Sequence, residues 1–158
     1  MTIWTYSNYF AGDYDGNGYK ITNLNFTGGH NVGLFSVISG NIENLVLENI
    51  SISSESRVGG LAGRLWDGGT IRNTHIQDTG RIYGVFVIGG LVGENRRTIE
   101  DSSVSGILIE SSGGQTGGFV GGNGGIINRS FVTAKILSEG PCPCSSGKKY
   151  KKCCLKKE

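Results

Sequence analysis

The most informative segment for the fold is Val87-Ile-Gly-Gly-Leu-Val-Gly-Glu-Asn-Arg-Arg-Thr-Ile-Glu-Asp-Ser-Ser-Val-Ser-Gly-Ile-Leu-Ile-Glu110. Related patterns occur before and after it. An Ile-x-Asn/Asp-x-x-apolar unit within it recurs at spacings of 21, 29, 28 and 27 residues. Its copies are Ile21/Asn23/Phe26, Ile42/Asn44/Leu47, Ile71/Asn73/Ile76, Ile99/Asp101/Val104 and Ile126/Asn128/Phe131. Self-similarity at this period is typical of solenoid proteins.

Two further short units accompany that one. A glycine unit precedes four of the copies, and a β-type unit follows them. The glycine units are Val32-Gly-Leu-Phe35, Val58-Gly-Gly-Leu61, Ile88-Gly-Gly-Leu91 and Thr116-Gly-Gly-Phe119. The β-type units are Asn49-Ile-Ser-Ile52, Gly80-Arg-Ile-Tyr83, Gly106-Ile-Leu-Ile109 and Ala134-Lys-Ile-Leu137. Each repeat therefore offers three short strands separated by turns.

Three such strands bury no face alone, but stacked coils at a rise of ~4.8 Å do. The sequence predicts an all-β fold, a β-solenoid of about five coils over residues 1–140. We expect the Asn/Asp positions at bends, bonded to the coils above and below, and the Gly-Gly pairs at turns with positive φ and close coil contact. Helices are disfavoured by this much Gly, Ser, Thr and Asn. A β-sandwich is the competing fold, but its sequence does not normally repeat at one period.

The repeats resemble the GLUG motif family, which occurs in bacterial surface adhesins. The best matches are Val58–Gly63, Ile88–Asn95 and Gly117–Asn123, and residues 10–30 resemble the entry coil of such arrays. The resemblance implies a repeat architecture and raises the expectation of a secreted or surface setting. It implies no catalytic residue.

The charge divides the chain into two parts. Residues 1–140 carry a net charge of −3, whereas residues 141–158, with six lysines and one glutamate, carry +5. A basic tail on an acidic body is suited to ribosomal RNA, acidic lipid or an acidic protein surface, and a solvated lysine face is the plainer alternative. We predict no DNA binding.

All four cysteines lie in this tail, as Cys142-x-Cys144 and Cys153-Cys154. Two pairs of soft thiolates suit a tetrahedral Zn²⁺ ion, and a structural zinc contributes about 10–16 kcal/mol to folding so small a loop. Nearby lysines favour the thiolate form. A disulfide framework remains an alternative, because cross-pair bonds are possible in an oxidising setting.

The segment Pro141–Cys154 resembles the SEC-C motif, the zinc-binding tail of the SecA translocation ATPase. The resemblance implies Zn²⁺ as cofactor and Cys142, Cys144, Cys153 and Cys154 as its ligands. It also implies docking to a protein partner such as a chaperone, the ribosome or a translocation component. We expect the contacts to come from Lys148, Lys149, Tyr150, Lys151 and Lys152.

Other candidate sites are weaker. Asp13-x-Asp15-x-Asn17-Gly18 copies half of a calcium-binding EF-hand loop, but the twelfth position is Leu24, so a turn launching the first coil is expected. His30 and His75 have no second ligand at metal-binding spacing. The acids Asp67, Asp78, Glu94, Asp101 and Glu110 fall at different phases of the repeat, and Arg72, Arg96 and Arg97 are candidates for binding an anion, although ordinary surface arginines are the default interpretation. We therefore expect no enzyme.

We predict a non-enzymatic bacterial scaffold or interaction protein, a rigid solenoid with a zinc-knuckle docking tail. The alternatives are a fragment of an adhesin that binds glycan or host protein, and a β-helix glycan hydrolase or lyase. No apolar run reaches the ~18 residues of a membrane span, and the first residues lack a secretory signal. We expect a cytoplasmic protein, or a secreted one if the chain is a fragment. The open edge of the last coil needs a cover, by the tail or by self-association.

Overall fold

The structure is a computed structural model that describes residues 9–138, and these residues form sixteen β-strands and no helix. The strands are β1 (Asp13–Asp15), β2 (Lys20–Thr22), β3 (Asn25–Gly28), β4 (Phe35–Ile38), β5 (Asn41–Ser54), β6 (Arg57–Val58), β7 (Ala62–Leu65), β8 (Thr70–Gly84), β9 (Val87–Gly89), β10 (Val92–Asn95), β11 (Thr98–Glu100), β12 (Ser103–Ser111), β13 (Gln115–Gly117), β14 (Val120–Asn123), β15 (Ile126–Asn128) and β16 (Phe131–Ser138). No helix of the described residues has the length and apolar character to cross a membrane.

The strands form three parallel sheets that wind into a β-solenoid, as predicted. Sheet 1 contains nine strands, in which β5 pairs with β1, β2 and β3 on one side and with β8 on the other. Sheet 2 has the order β14-β10-β7-β4, and sheet 3 has the order β13-β9-β6. The chain passes through sheet 1 five times, and these passes enclose about four complete turns.

The core consists of ladders of apolar side chains that repeat from coil to coil. One ladder joins Ile42, Ile71, Ile99 and Ile127, and a second joins Ile21, Leu47, Ile76, Val104 and Val132. A third joins Phe26, Ile52, Ile82, Ile109 and Ile136. β-Branched residues predominate because they pack well on a pleated surface, and burying each isoleucine contributes about 1.5–3 kcal/mol.

The predicted register is right in the middle copies and wrong in the first and last. Ile21 pairs with Leu47 rather than with Ile42, so the first copy lies one bend further along the coil. In the last copy Ile99 pairs with Ile127, so the predicted Ile126 is displaced by one residue and faces solvent. The adjacent Ile126-Ile127 gives two possible alignments, and a shift of one residue exchanges the two faces of a strand.

The bends of sheet 1 are made by residues with left-handed backbone. Asn44, Asn73, Asp101 and Arg129 have φ of 55°, 44°, 49° and 45°, and each lies just after the first apolar ladder. Asn23, Asn49 and Asp78 form a second bend with φ of 60°, 49° and 70°. These positive φ angles confirm the predicted bend positions in the middle coils. Asparagine suits such positions because it tolerates left-handed backbone better than most residues.

The glycine pairs serve close approach and not positive φ, which corrects the expectation for them. Among the described glycines, φ is positive only at Gly18, Gly68, Gly106 and Gly114. A Cβ atom on Gly60 would lie 2.8 Å from the carbonyl oxygen of Gly90 and 2.8 Å from Cδ1 of Ile50. Neighbouring coils therefore approach too closely here for any side chain.

The last coil leaves apolar side chains uncovered. Val104 and Ile109 are fully buried, whereas Val132 and Ile136, at the same ladder positions one coil later, are 41% and 43% exposed. Phe131 on the same strand is 63% exposed. The end of the stack is thus a partly apolar face, from which residues 139–158 continue.

Candidate functional site

The Asp13/Asp15 loop is the turn that opens the first coil. The Oδ1 atom of Asp15 accepts hydrogen bonds from Nδ2 of Asn44 at 2.9 Å and from the backbone N–H of Asn17 at 2.8 Å. These two bonds lower the pKa of Asp15. Oδ1 of Asp13 accepts a bond from Nδ2 of Asn41 at 2.7 Å. Both carboxylates thus connect the first coil to the second, as the turn interpretation requires.

His75 belongs to the same network of polar side chains. Its Nδ1 lies 2.8 Å from Oγ of Ser103, and its Nε2 lies 2.9 Å from Oδ1 of Asn73. Both ring nitrogens are therefore engaged with polar side chains. Within residues 9–138, no group of three or more His, Cys, Asp or Glu side chains is placed to hold a metal ion.

Four of the five acids considered from the sequence pair with an arginine. Arg81 contacts Glu110, and Arg97 contacts Asp67. Arg129 donates two hydrogen bonds to Asp101, at 2.6 and 2.9 Å. The hydrogen bond and the charge of Arg129 lower the pKa of Asp101, and the same contact raises the pKa of Arg129. The fourth acid, Glu94, is the centre of a larger cluster.

This cluster, here called the Glu94 cluster, comprises Arg57, Arg64, Trp66, Glu94 and Arg96. Arg64 and Glu94 are cross-strand neighbours on the outer face of sheet 2, from β7 and β10. Arg57 reaches the same carboxylate from β6 of sheet 3. The repeat brings them together, because equivalent positions of successive coils stack directly.

Three guanidinium groups contact the one carboxylate of Glu94. Oε2 lies 2.7 Å from Nε of Arg57 and 3.1 Å from Nε of Arg64, and Oε1 lies 2.8 Å from Nε of Arg96. Burial raises the pKa of Glu94, but the hydrogen bonds from Arg96 and Arg57 and the charge of Arg64 outweigh it. The net effect is a pKa below the ordinary 4.5. Glu94 is therefore ionised at neutral pH.

Trp66 orders the arginines on its side of the cluster. The guanidinium carbon of Arg64 lies 3.8 Å from the centre of the Trp66 ring, and that of Arg96 lies 5.3 Å from it. Cation–π contacts at such distances contribute about 0.5–1 kcal/mol at exposed sites. They restrain two flexible side chains beside the carboxylate.

Two shallow grooves flank the cluster. The first has a volume of about 330 Å³ and is lined by Arg57, Val87, Glu94, Arg96, Gln115, Gly122, Asn123 and Gly124. The second, of about the same 330 Å³, is lined by Trp66, Asp67, Arg96, Arg97 and Gly124. They share Arg96 and Gly124, so the two grooves lie side by side on the surface of sheet 2.

The predicted zinc ligands Cys142, Cys144, Cys153 and Cys154 lie outside the described residues, as do Lys148, Lys149, Tyr150, Lys151 and Lys152. Comparison with known families addresses this segment. Residues 141–156 match the SEC-C motif. The match includes all four cysteines and all five predicted docking residues, and the SEC-C motif is a zinc-binding type of motif.

Neither the curated proteins nor the solved structures contain a match to the chain. The SEC-C match therefore concerns the tail alone. The assignment of the β-solenoid rests on the geometry of residues 9–138.

Sequence reasoning missed the Glu94 cluster, because it considered the acids and the arginines separately. The signal was present in the glycine units. Aligning Gly63-Arg64-Leu65, Gly93-Glu94-Asn95 and Gly121-Gly122-Asn123 places Arg64, Glu94 and Gly122 in one column. The same alignment puts Trp66, Arg96 and Gly124 in the next outward column.

Proposed function

We propose that the protein is a non-enzymatic interaction protein, in which a rigid β-solenoid carries a zinc-binding docking tail. The observation that carries this proposal is the SEC-C match over residues 141–156. It coincides with the only cysteines of the chain and with its most basic segment.

The chemistry of the donor set fits zinc. Cys142, Cys144, Cys153 and Cys154 supply four thiolates, which is the ligand number and type of a closed structural zinc site. The four lysines between the two pairs offset part of the −2 charge of a zinc tetrathiolate. When bound, the zinc ion cross-links the tail and has no open position for catalysis.

The solenoid suits the role of a support. Its ladders are continuous from coil to coil, and its sheets are parallel over their full extent in residues 9–138. In the sequence, the tail follows the last strand of this body, β16 (Phe131–Ser138).

The partner we propose has an acidic surface, because the tail has a net charge of +5. Lys148, Lys149, Lys151 and Lys152 supply the charge, and Tyr150 supplies an aromatic anchor of the kind enriched at interfaces. By the SEC-C resemblance, such a partner is a chaperone, the ribosome or a translocation component.

The zinc site is tested by metal analysis and thiol titration of the untagged full chain. We expect one zinc per chain and thiols that react only after chelation. Cys142→Ser and Cys153→Ser each abolish stoichiometric zinc, whereas Ser146→Ala, in the same segment, retains it. Protein with no zinc and no free thiols contains disulfides, and that result would overturn the proposal in favour of a secreted adhesin.

The docking role is tested separately, by co-sedimentation of the zinc-loaded protein with ribosomes. Lys148→Glu combined with Lys149→Glu should abolish co-sedimentation while leaving the zinc content unchanged. Lys156→Glu combined with Lys157→Glu makes the same change of charge outside the predicted contact segment and should have a smaller effect. Equal loss from both pairs would show non-specific attraction and not docking.

A further inference from the structure

The Glu94 cluster has more positive charge than its single carboxylate balances. Three arginines contact Glu94, so the group as a whole has an excess of two positive charges. The side chains of Glu94 and Arg64 are only 12% and 23% exposed, which limits screening of this excess by water. Like charges held this close are stabilised by a bound anion.

The arginines also keep unused donors. Within residues 9–138, Arg57 and Arg96 each donate to Glu94 through Nε, and their Nη atoms form no hydrogen bond. The buried Nε of Arg64 has no hydrogen-bond partner among these residues, although it lies 3.1 Å from Oε2 of Glu94. Glu94 accepts from two arginines and does not satisfy the third.

The first groove provides room beside these donors. The cross-strand neighbour of Glu94 in the last coil is Gly122, and Gly124, directly after β14, also lines the groove. Where the preceding coils carry Arg64, Glu94, Trp66 and Arg96, the last coil therefore has no side chain. The resulting space of about 330 Å³ is bounded by Arg57, Arg96 and the amide of Gln115.

We propose that this groove binds a phosphate monoester, with the dianionic phosphate held between Arg57 and Arg96. A dianion balances the two excess charges, which a single carboxylate does not. Guanidinium groups bind phosphate with paired N–H donors, and two of them, Arg57 and Arg96, line this groove. The ester substituent extends into the second groove, along Trp66 and Arg97.

The charge pattern favours a single phosphate over a long polyanion. Asp67 lies in the second groove, and Glu94 lies in the first, so negative groups interrupt the basic surface. A nucleic-acid strand needs an uninterrupted basic path for its successive phosphates. The ligand is therefore a small phosphorylated molecule or a single phosphorylated side chain.

The test is a titration of the full chain in a Trp4→Phe background, which leaves Trp66 as the single tryptophan. Inorganic phosphate and glycerol 3-phosphate are the two probes, with chloride at equal ionic strength as the reference. We expect a saturable change of Trp66 fluorescence that chloride does not produce. Tighter binding of glycerol 3-phosphate than of phosphate shows that the second groove holds the ester, and equal binding limits the site to the phosphate group.

Two variants assign the binding to the cluster. Arg57→Gln and Arg96→Gln should each weaken binding at least tenfold, since each removes a charged donor. Arg81→Gln is the matched control, because Arg81 also pairs with a glutamate, on sheet 1. Thermal unfolding of all three establishes that they fold. The proposal is overturned if no saturable response occurs, or if Arg81→Gln weakens binding as much as Arg57→Gln and Arg96→Gln do.

³¹P line broadening of the probe gives a readout independent of Trp66. The lysine-rich tail is unchanged in every variant, so failure here is separate from failure of the zinc proposal.

Discussion

Nδ2 of Asn73 donates a hydrogen bond of 2.8 Å to Oδ1 of Asn44, its counterpart in the preceding coil. Both residues have left-handed backbone, with φ of 44° and 55°. Asn44 in turn donates to Asp15 at 2.9 Å. The same side chains therefore turn the chain and tie three coils together, which explains why the repeat uses asparagine here.

Substitution of Asn73 separates these two roles. Asn73→Gly keeps the backbone conformation and loses the side-chain hydrogen bonds to Asn44 and His75, so we expect a loss of about 1–2 kcal/mol. Asn73→Ala adds the strain of a left-handed residue, for a total of about 2–3 kcal/mol. Urea unfolding measures both free energies. Equal losses for the two variants would refute the account of the bend.

The register of the last coil predicts opposite outcomes for two isoleucines that occupy the same motif position. Ile99 is fully buried, whereas Ile126 is 57% exposed. Ile99→Ala should destabilise the protein by about 2–5 kcal/mol, because it leaves a cavity in the core. Ile126→Ala should change the free energy of unfolding by less than about 0.5 kcal/mol. Comparable losses of stability in the two variants would mean that Ile126, and not Ile127, stacks on Ile99 in the last coil.

Gly60 and Gly29 form a matched pair for the close approach of coils. A Cβ atom on Gly60 would meet the carbonyl oxygen of Gly90 at 2.8 Å, whereas one on Gly29 has no heavy atom within 4 Å. Gly60→Ala should cost at least about 1–3 kcal/mol by overpacking. Gly29→Ala should be neutral or stabilising by up to about 1 kcal/mol. Thermal unfolding distinguishes them, and a benign Gly60→Ala would contradict the observed coil spacing.

The lowered pKa of Glu94 predicts a loss of stability in acid. Because the folded-state pKa lies below the ordinary 4.5, the folded protein binds this proton less readily than the unfolded chain. The stabilisation is complete above the unfolded-state pKa and is lost as the pH falls through the folded-state pKa. Glu94→Gln should therefore reduce stability at neutral pH and flatten its decline between about pH 5 and pH 3.

Glu55→Gln is the control for this pH dependence, since Glu55 is an exposed glutamate outside the cluster. Urea unfolding at a series of pH values measures both variants. If the free energy of unfolding of Glu94→Gln fell in acid as steeply as that of the original protein, the pH dependence would come from other carboxylates. Glu48 and Asp101 are candidates, because their pKa values are also lowered.

The exposed end of the last coil predicts a role for the tail as its cover. Val132 and Ile136 are partly exposed, whereas their counterparts one coil earlier, Val104 and Ile109, are fully buried. Residues 139–158 follow this last strand in the sequence. A chain ending at Ser138 should self-associate with rising concentration, and Ile136→Lys in that chain should reduce the association. Sedimentation velocity measures both. A truncated chain that stays monomeric would contradict the capping role.

The described fold follows the sequence wherever a position is repeated unambiguously. Ile42, Ile71 and Ile99 stack as predicted because each is a single apolar residue between polar neighbours. At the doubled Ile126-Ile127 and in the shorter first coil at Ile21, the pattern allows more than one alignment. The predicted register was therefore wrong at both places. The resemblance to GLUG repeats stays a prediction, as do the tail ligands, which lie outside the described residues.

The repeat pattern was sufficient to predict the solenoid, its period and its bends, and the sequence places all four cysteines in one segment. These are properties of local pattern: inward residues recur, bend residues tolerate left-handed backbone, and cysteines are paired. The contact of Arg57, Arg64 and Arg96 with Glu94, beside Trp66 and a groove, became visible only in the folded chain. These contacts join residues from different coils and sheets, up to 37 positions apart. Their meeting depends on the stacking register, and the groove beside them depends on the absence of side chains at Gly122 and Gly124.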